Sequence, residues 1–195
     1  MRLFIALDID DAVRERLGRF IDGVRNFAPD ARWVNPESLH VTLKFIGEQP
    51  EDSVEKIKQT LSAIDAATTE IQFRGYGFFP TPKSARVFWI GMEAGPQLGA
   101  LAAAIDERLS ALGVAEENRS FSPHLTLARG AGGSGSPRRN RGDRPNRTFQ
   151  RLQEKLSALP ALEFETMRPR EFFLFQSRLS PKGSKYTKLA GFALN

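Results

Sequence analysis

The 195-residue chain has no cysteine and only two histidines. Without cysteine, disulfides and thiolate metal sites are excluded. No apolar run comes near the roughly 20 residues that a membrane-spanning helix needs. The opening MRLFIALDID turns acidic by Asp8 and lacks the long apolar core and small-residue cleavage site of a secretory signal. The expectation is a cytoplasmic protein with no membrane contact. Acidic residues are outnumbered, 23 against 28 lysines and arginines, for a formal charge of +5. That balance favours an anionic partner. Part of the excess lies in SPRRNRGDRPNR, residues 136 to 147. Two readings stand for it, a solvated basic loop and an RNA-contacting one.

The hydrophobic fraction of 41% suffices for one packed domain, or for two small lobes sharing a core. Strands are expected at 2–7, 39–47, 70–80, 85–92, 123–130, 162–166, 170–179 and 185–194. Helices are expected at 10–26, 50–64, 95–113 and 147–159. The first carries Val13, Leu17, Phe20, Ile21 and Val24 on one stripe, and the second has Asp52 or Ser53 placed to cap it. Residues 130–146 are rich in Gly, Ser, Pro and Arg and read as a mobile loop. The order lacks a steady strand-helix alternation, which points to α+β with helices on largely antiparallel sheets. Each half places a histidine strand before a helix and then adds two strands, the mark of an internal duplication.

Both histidines fall in one pattern, His40 in SLHVTL and His124 in SPHLTL. On a strand, alternate side chains share a face. His40 and Thr42 therefore face one way, with Val41, Leu43 and Phe45 on an apolar reverse face. His124 and Thr126 are arranged likewise, above Leu125 and Leu127. Two such strands side by side would present two imidazoles and two hydroxyls to one groove. One imidazole can take a proton from an attacking water and the other can give one to a leaving oxygen. The hydroxyls can donate to phosphate oxygens as charge builds on them. A structural role for a lone histidine is the commoner case, but a shared pattern for both argues against it. Two histidines fall short of a three-ligand zinc site, and no His-Glu-x-x-His spacing occurs. There is no Gly-x-Ser-x-Gly elbow and no P-loop ending. No metal or other cofactor is expected.

The combined blocks resemble the RNA 2′,3′-cyclic phosphodiesterases, also called the 2′–5′ RNA ligase family, within the two-histidine (2H) phosphoesterases. The resemblance rests on RLFIALDI, ARWVNPESLHVTLKFIGE, ARVFWIGM, ENRSFSPHLTLAR and SRLSPKGSKY, and runs nearly end to end. It implies a two-lobed, pseudo-symmetric α+β fold with helices outside and a central groove. It implies a monomer acting on RNA that ends in a 2′,3′-cyclic phosphate, leaving a 2′-phosphate. It makes His40 the proton donor, His124 the acceptor, and Thr42 and Thr126 the phosphate holders. The residues alone do not order the two histidines. Related alternatives are end-joining to a 2′–5′ linkage, a small-nucleotide cyclic phosphodiesterase, and an RNA-binding module without catalysis. Lys44 shares the parity of His40, so it reaches either substrate or a salt bridge at the groove rim. Arg129 has the opposite parity to His124 and needs a bulge to reach the groove. Tyr186, Phe78, Phe79 and Trp89 are assigned mainly to the core, with base stacking as the other use. The length and basicity of 130–146 depart from the family pattern.

Overall fold

The computed structural model describes residues 1–130, 147–180 and 183–195. The expected basic loop, 130–146, lies outside the described residues except for Gly130. Among the described residues nine strands form two antiparallel sheets. The first sheet runs β3 (His40–Glu48), β1 (Arg2–Asp8), β8 (Glu171–Ser180), β9 (Gly183–Ala193). The second runs β2 (Arg32–Trp33), β6 (His124–Arg129), β5 (Val87–Ala94), β4 (Ile71–Phe79), β7 (Glu163–Met167). The α+β class, the antiparallel sheets and all four expected helices are present.

The helices form where apolar residues recur at helical spacing. On α1 (Asp11–Val24), Val13, Leu17, Ile21 and Val24 are buried. Phe20 sits beside that stripe and packs edge-on against Phe164 of β7, with ring centres 5.1 Å apart. The second helix, α2 (Val54–Ser62), buries Val54, Ile57 and Leu61. Its expected cap is not made: the Ser53 hydroxyl donates 2.8 Å back to the Pro50 carbonyl instead. A 3-10 turn at 51–53 precedes the helix, so Ser53 already has helical backbone and cannot act as an extended cap. Pro96 opens α3 (Pro96–Ser110), and beyond its end Gly113 takes φ +83°, a left-handed conformation that glycine adopts freely. The last helix, α4 (Gln150–Ser157), is anchored by Leu152 and Leu156.

The sheets do not correspond to halves of the sequence. The hairpin β8–β9 returns from the C-terminal part to join β1 and β3, while β4 and β5 join the second histidine strand. Helices cross over as well. Helix α1 packs on β7 of the second sheet, and α3 packs on β3 of the first and against α2. Each lobe is thus built from both halves of the chain, and the two share one large apolar core. On β1 the alternation is clear. Leu3, Ile5 and Leu7 enter that core, while Phe4 and Ala6 belong to a separate small cluster with Phe175 on the opposite face. That opposite face is the floor of the groove. The short strand β2 escapes sequence reading because two residues carry no periodicity. It borders β6, and Val34 extends the contact by donating to the Leu127 carbonyl at 2.8 Å.

Candidate active site

The two histidine strands approach each other, β3 from the first sheet and β6 from the second. Both imidazoles are held in the same way. His40 Nδ1 lies 2.8 Å from the Ser38 carbonyl, and His124 Nδ1 lies 2.8 Å from the Ser122 carbonyl. A carbonyl can only accept, so Nδ1 carries the proton in both rings and Nε2 is left for other chemistry. The serine shared by the two motifs therefore contributes its backbone oxygen. The fixed two-residue spacing sets where that oxygen sits.

Each motif strand also bulges at the same place. Across β1 and β3, Ile5 pairs with Lys44 but Ala6 pairs with Thr42, leaving Leu43 as an extra residue. Across β5 and β6, Phe88 pairs with Ala128 but Trp89 pairs with Thr126, leaving Leu127 extra. A bulge resets the side-chain parity beyond it. His40 and Thr42 keep the groove face, and the next groove position becomes Phe45. His124 and Thr126 keep it too, and their next groove position is Arg129. Neither threonine hydroxyl has a hydrogen-bond partner among the described residues.

Two expectations are corrected by this geometry. Lys44 does not line the groove, because the bulge turns it to the core side, where its side chain is 4% exposed. Its ammonium pairs with Asp106 of α3 and donates 2.9 Å to the Ala115 carbonyl. The Asp106 carboxylate in turn accepts the Glu117 N–H. The pair ties the first motif strand to the segment that leads into the second. Phe45, assigned by alternation to the core, is 61% exposed, with its ring 6.2 Å from that of Phe4. Arg129 gains the groove through the bulge that its parity required.

Aromatic rings surround the histidines. His40 sits 4.9 Å from Phe4 and 5.0 Å from Tyr186, ring centre to ring centre. His124 sits 5.1 Å from Phe79 and 6.2 Å from Trp89. Trp89 lies flat over Gly77, where an added Cβ would collide with the indole. Of the rings assigned mainly to the core, only Phe78 is buried there, stacked on Phe88. Phe79, Trp89 and Tyr186 wall the groove.

These walls set the charge states. Burial pushes the pKa of both imidazoles down, and the Arg129 guanidinium pushes the same way at each. The Ser38 and Ser122 carbonyls oppose this. The lobes differ in one respect: the Asp8 carboxylate, opposite His40 in the β1–β3 register, favours the His40 imidazolium. Burial tends to raise the Asp8 pKa, but Lys188, 2.5 Å away, and Arg14, at 2.8 Å, hold it below its ordinary value. Arg129 is itself shifted down, first by burial and also by the charges of Arg32 and Arg2, with Tyr186 acting against them. Among the described residues no cluster of three or more histidine, aspartate and glutamate side chains could hold a metal ion.

Residues 7–89 match the model of LigT-like phosphoesterases. The RNA 2′,3′-cyclic phosphodiesterase of Archaeoglobus fulgidus is 35% identical, over 98% of this chain and 99% of its own. The chain belongs to the LigT-like phosphoesterase family. The enzyme of the same name from Methanothermobacter thermautotrophicus is 33% identical, over 100% of this chain and 99% of its own. Among solved structures, TT0787 of Thermus thermophilus superimposes with a TM-score of 0.76 at 29% identity, covering 100% of this chain and 98% of that one. The likeness to LigT-like phosphoesterases thus extends over both lobes. No helix among the described residues is long and apolar enough to cross a membrane.

In this LigT-like phosphoesterase, Lys44→Met strands Asp106 without its cation. Asp106 is 26% exposed and keeps the Glu117 N–H, so the cost is about 1–3 kcal/mol, less than for a fully buried pair. The expected result in chemical denaturation is a loss of that order for Lys44→Met. The double variant Lys44→Met/Asp106→Leu should lose less, because no lone charge remains.

Proposed function

We propose that the chain hydrolyses the 2′,3′-cyclic phosphate at an RNA end to a 2′-phosphate, by metal-independent acid–base catalysis with His40 and His124. The observation that carries this reading is the matched hydrogen bond at each Nδ1, which leaves two Nε2 atoms for one phosphate. The curated names of the relatives supply the substrate class. Water attacks phosphorus as His124 Nε2 takes its proton. The bond from phosphorus to O3′ breaks, and O3′ takes the proton from His40 Nε2. The product carries a 2′-phosphate and a 3′-hydroxyl, and the two histidines return to their starting states by exchanging protons with solvent.

The Asp8 carboxylate supports this order of roles. It stabilises the imidazolium of His40, which suits the donor, while no carboxylate acts on His124 in this way among the described residues. Thr42 and Thr126 donate to the non-bridging oxygens. Arg129 adds a full positive charge where the pentavalent phosphorane is most negative. Phe45 offers an exposed ring beside the site, suited to stacking the terminal base. The protein acts as a monomer in the cytoplasm.

The test is EDTA-treated hydrolysis of a short oligoribonucleotide ending in a 2′,3′-cyclic phosphate, with product ends mapped. A 2′-phosphate product is expected, with rates at least 10²-fold lower in His40→Ala and in His124→Ala. A 3′-phosphate product, or full activity in either variant, overturns the assignment. The pH profile gives a second check. Both histidines have lowered pKa values in the free enzyme, so kcat/KM should fall on its basic side with an apparent pKa below 6.5, the ordinary histidine value. Arg129→Gln removes a charge that lowers both, so its limbs should move to higher pH even as its rate drops.

A further inference from the structure

The end of the groove beyond Phe45 carries more positive charge than the reaction above uses. Arg32 and Arg129 are direct partners across β2 and β6. The next pair, Trp33 and Ala128, faces the core, with Trp33 edge-on to Phe88 at 6.0 Å. Arg32 and Arg129 therefore share the groove face. Like charges directly opposite each other on paired strands repel, and neither has an acidic partner among the described residues. Arg2 reaches the same end from the first sheet. It has the parity of Phe4 and Ala6, on the groove face of β1, and it pairs with Ser177, which pairs in turn with Tyr186. Arg129 feels the charges of both Arg32 and Arg2. Glu48 supplies a carboxylate here, opposite Arg2.

The order along β1 and β3 gives this cluster a meaning. The cross-strand pairs run Asp8–His40, Ala6–Thr42, Phe4–Phe45, Arg2–Glu48. Successive pairs on this face lie roughly 7 Å apart. A cyclic phosphate beside His40 and Thr42, with its base on Phe45, brings the 5′ side of the same nucleotide toward Arg2 and Arg32. An RNA end carries a second phosphate there, one ribose away from the first. A nucleoside 2′,3′-cyclic phosphate carries none.

We propose that Arg2 and Arg32 bind the phosphate on the 5′ side of the terminal nucleotide, so that the enzyme selects RNA ends over nucleoside cyclic phosphates. This rests on the reading of the site given above. Arginine suits the task because its planar, permanently charged fork matches two phosphate oxygens at once.

The experiment compares kcat/KM for three substrates: adenosine 2′,3′-cyclic phosphate, the same compound bearing a 5′-phosphate, and the dinucleotide ApA ending in a 2′,3′-cyclic phosphate. The wild type should favour the two phosphate-bearing substrates by about tenfold or more, with the preference shrinking as salt rises. In Arg32→Gln and Arg2→Gln the ratio should fall toward one, and Arg32→Lys should restore part of it. Preference for the dinucleotide alone would assign the site to a phosphodiester in a chain, and equal preference to any 5′-phosphate. A wild-type ratio of one, or a ratio unchanged in both glutamine variants, overturns the proposal. If the wild type turns over none of the three, the assigned reaction fails instead. The subsite is then decided by binding of adenosine 3′,5′-bisphosphate against adenosine 3′-phosphate. Tighter binding of the bisphosphate that is lost in Arg32→Gln sustains the subsite, and equal binding overturns it.

Discussion

Everything in the groove depends on one hydrogen bond made twice, from an imidazole Nδ1 to the carbonyl two residues before it. A free imidazole can place its proton on either nitrogen and rotate. A carbonyl that only accepts removes both freedoms, because it fixes the tautomer and the ring plane together. The two bonds have the same length at His40 and His124, and the same spacing from Ser38 and Ser122. The aromatic walls then confine each ring, so little entropy remains to be lost when substrate arrives.

The second constraint is the bulge after each threonine. It splits each motif strand into two parities. Leu43 and Leu127 stay in the core, the next residue follows them, and the residue after that returns to the groove. One lobe uses that return for a ring, Phe45, and the other for a cation, Arg129. The pseudo-symmetric frame thereby acquires an asymmetric groove, with an exposed ring on one side and a cation on the other. Asp8 adds to the asymmetry by acting on His40 alone. The bulge in the first lobe also buries Lys44 against Asp106, which links the two motifs through the interior, while both histidines feel the charge of Arg129.

Most of the secondary structure was legible in the sequence because it rests on periodicity. The stripe on α1 and the alternation on β1 each repeat often enough to be read. Elements set by one or two residues were not legible. Strand β2 is a pair of residues, and the Ser53 hydroxyl turned back to Pro50 because a 3-10 turn came first. The histidine and threonine positions were legible from the repeated pattern, and Arg129 only on condition of a bulge. Lys44 and Phe45 were each placed on the wrong face for a single reason: a strict two-residue period cannot register an extra residue. The matching position of Phe45 and Arg129, each five residues after its histidine, was the available signal. Nor did the sequence order show that the β8–β9 hairpin returns to the first sheet, since that exchange depends on long-range pairing.

The most direct measurement is the tautomer and pKa of each histidine by nitrogen-15 NMR. With only two histidines, a single substitution assigns both rings. In each neutral ring the proton is expected on Nδ1, the less usual tautomer. Both rings should titrate below 6.5, with His40 still sensitive to Asp8→Asn. A proton on Nε2 in either neutral ring would contradict that fixed tautomer, because Nδ1 could not then donate to the Ser38 or Ser122 carbonyl.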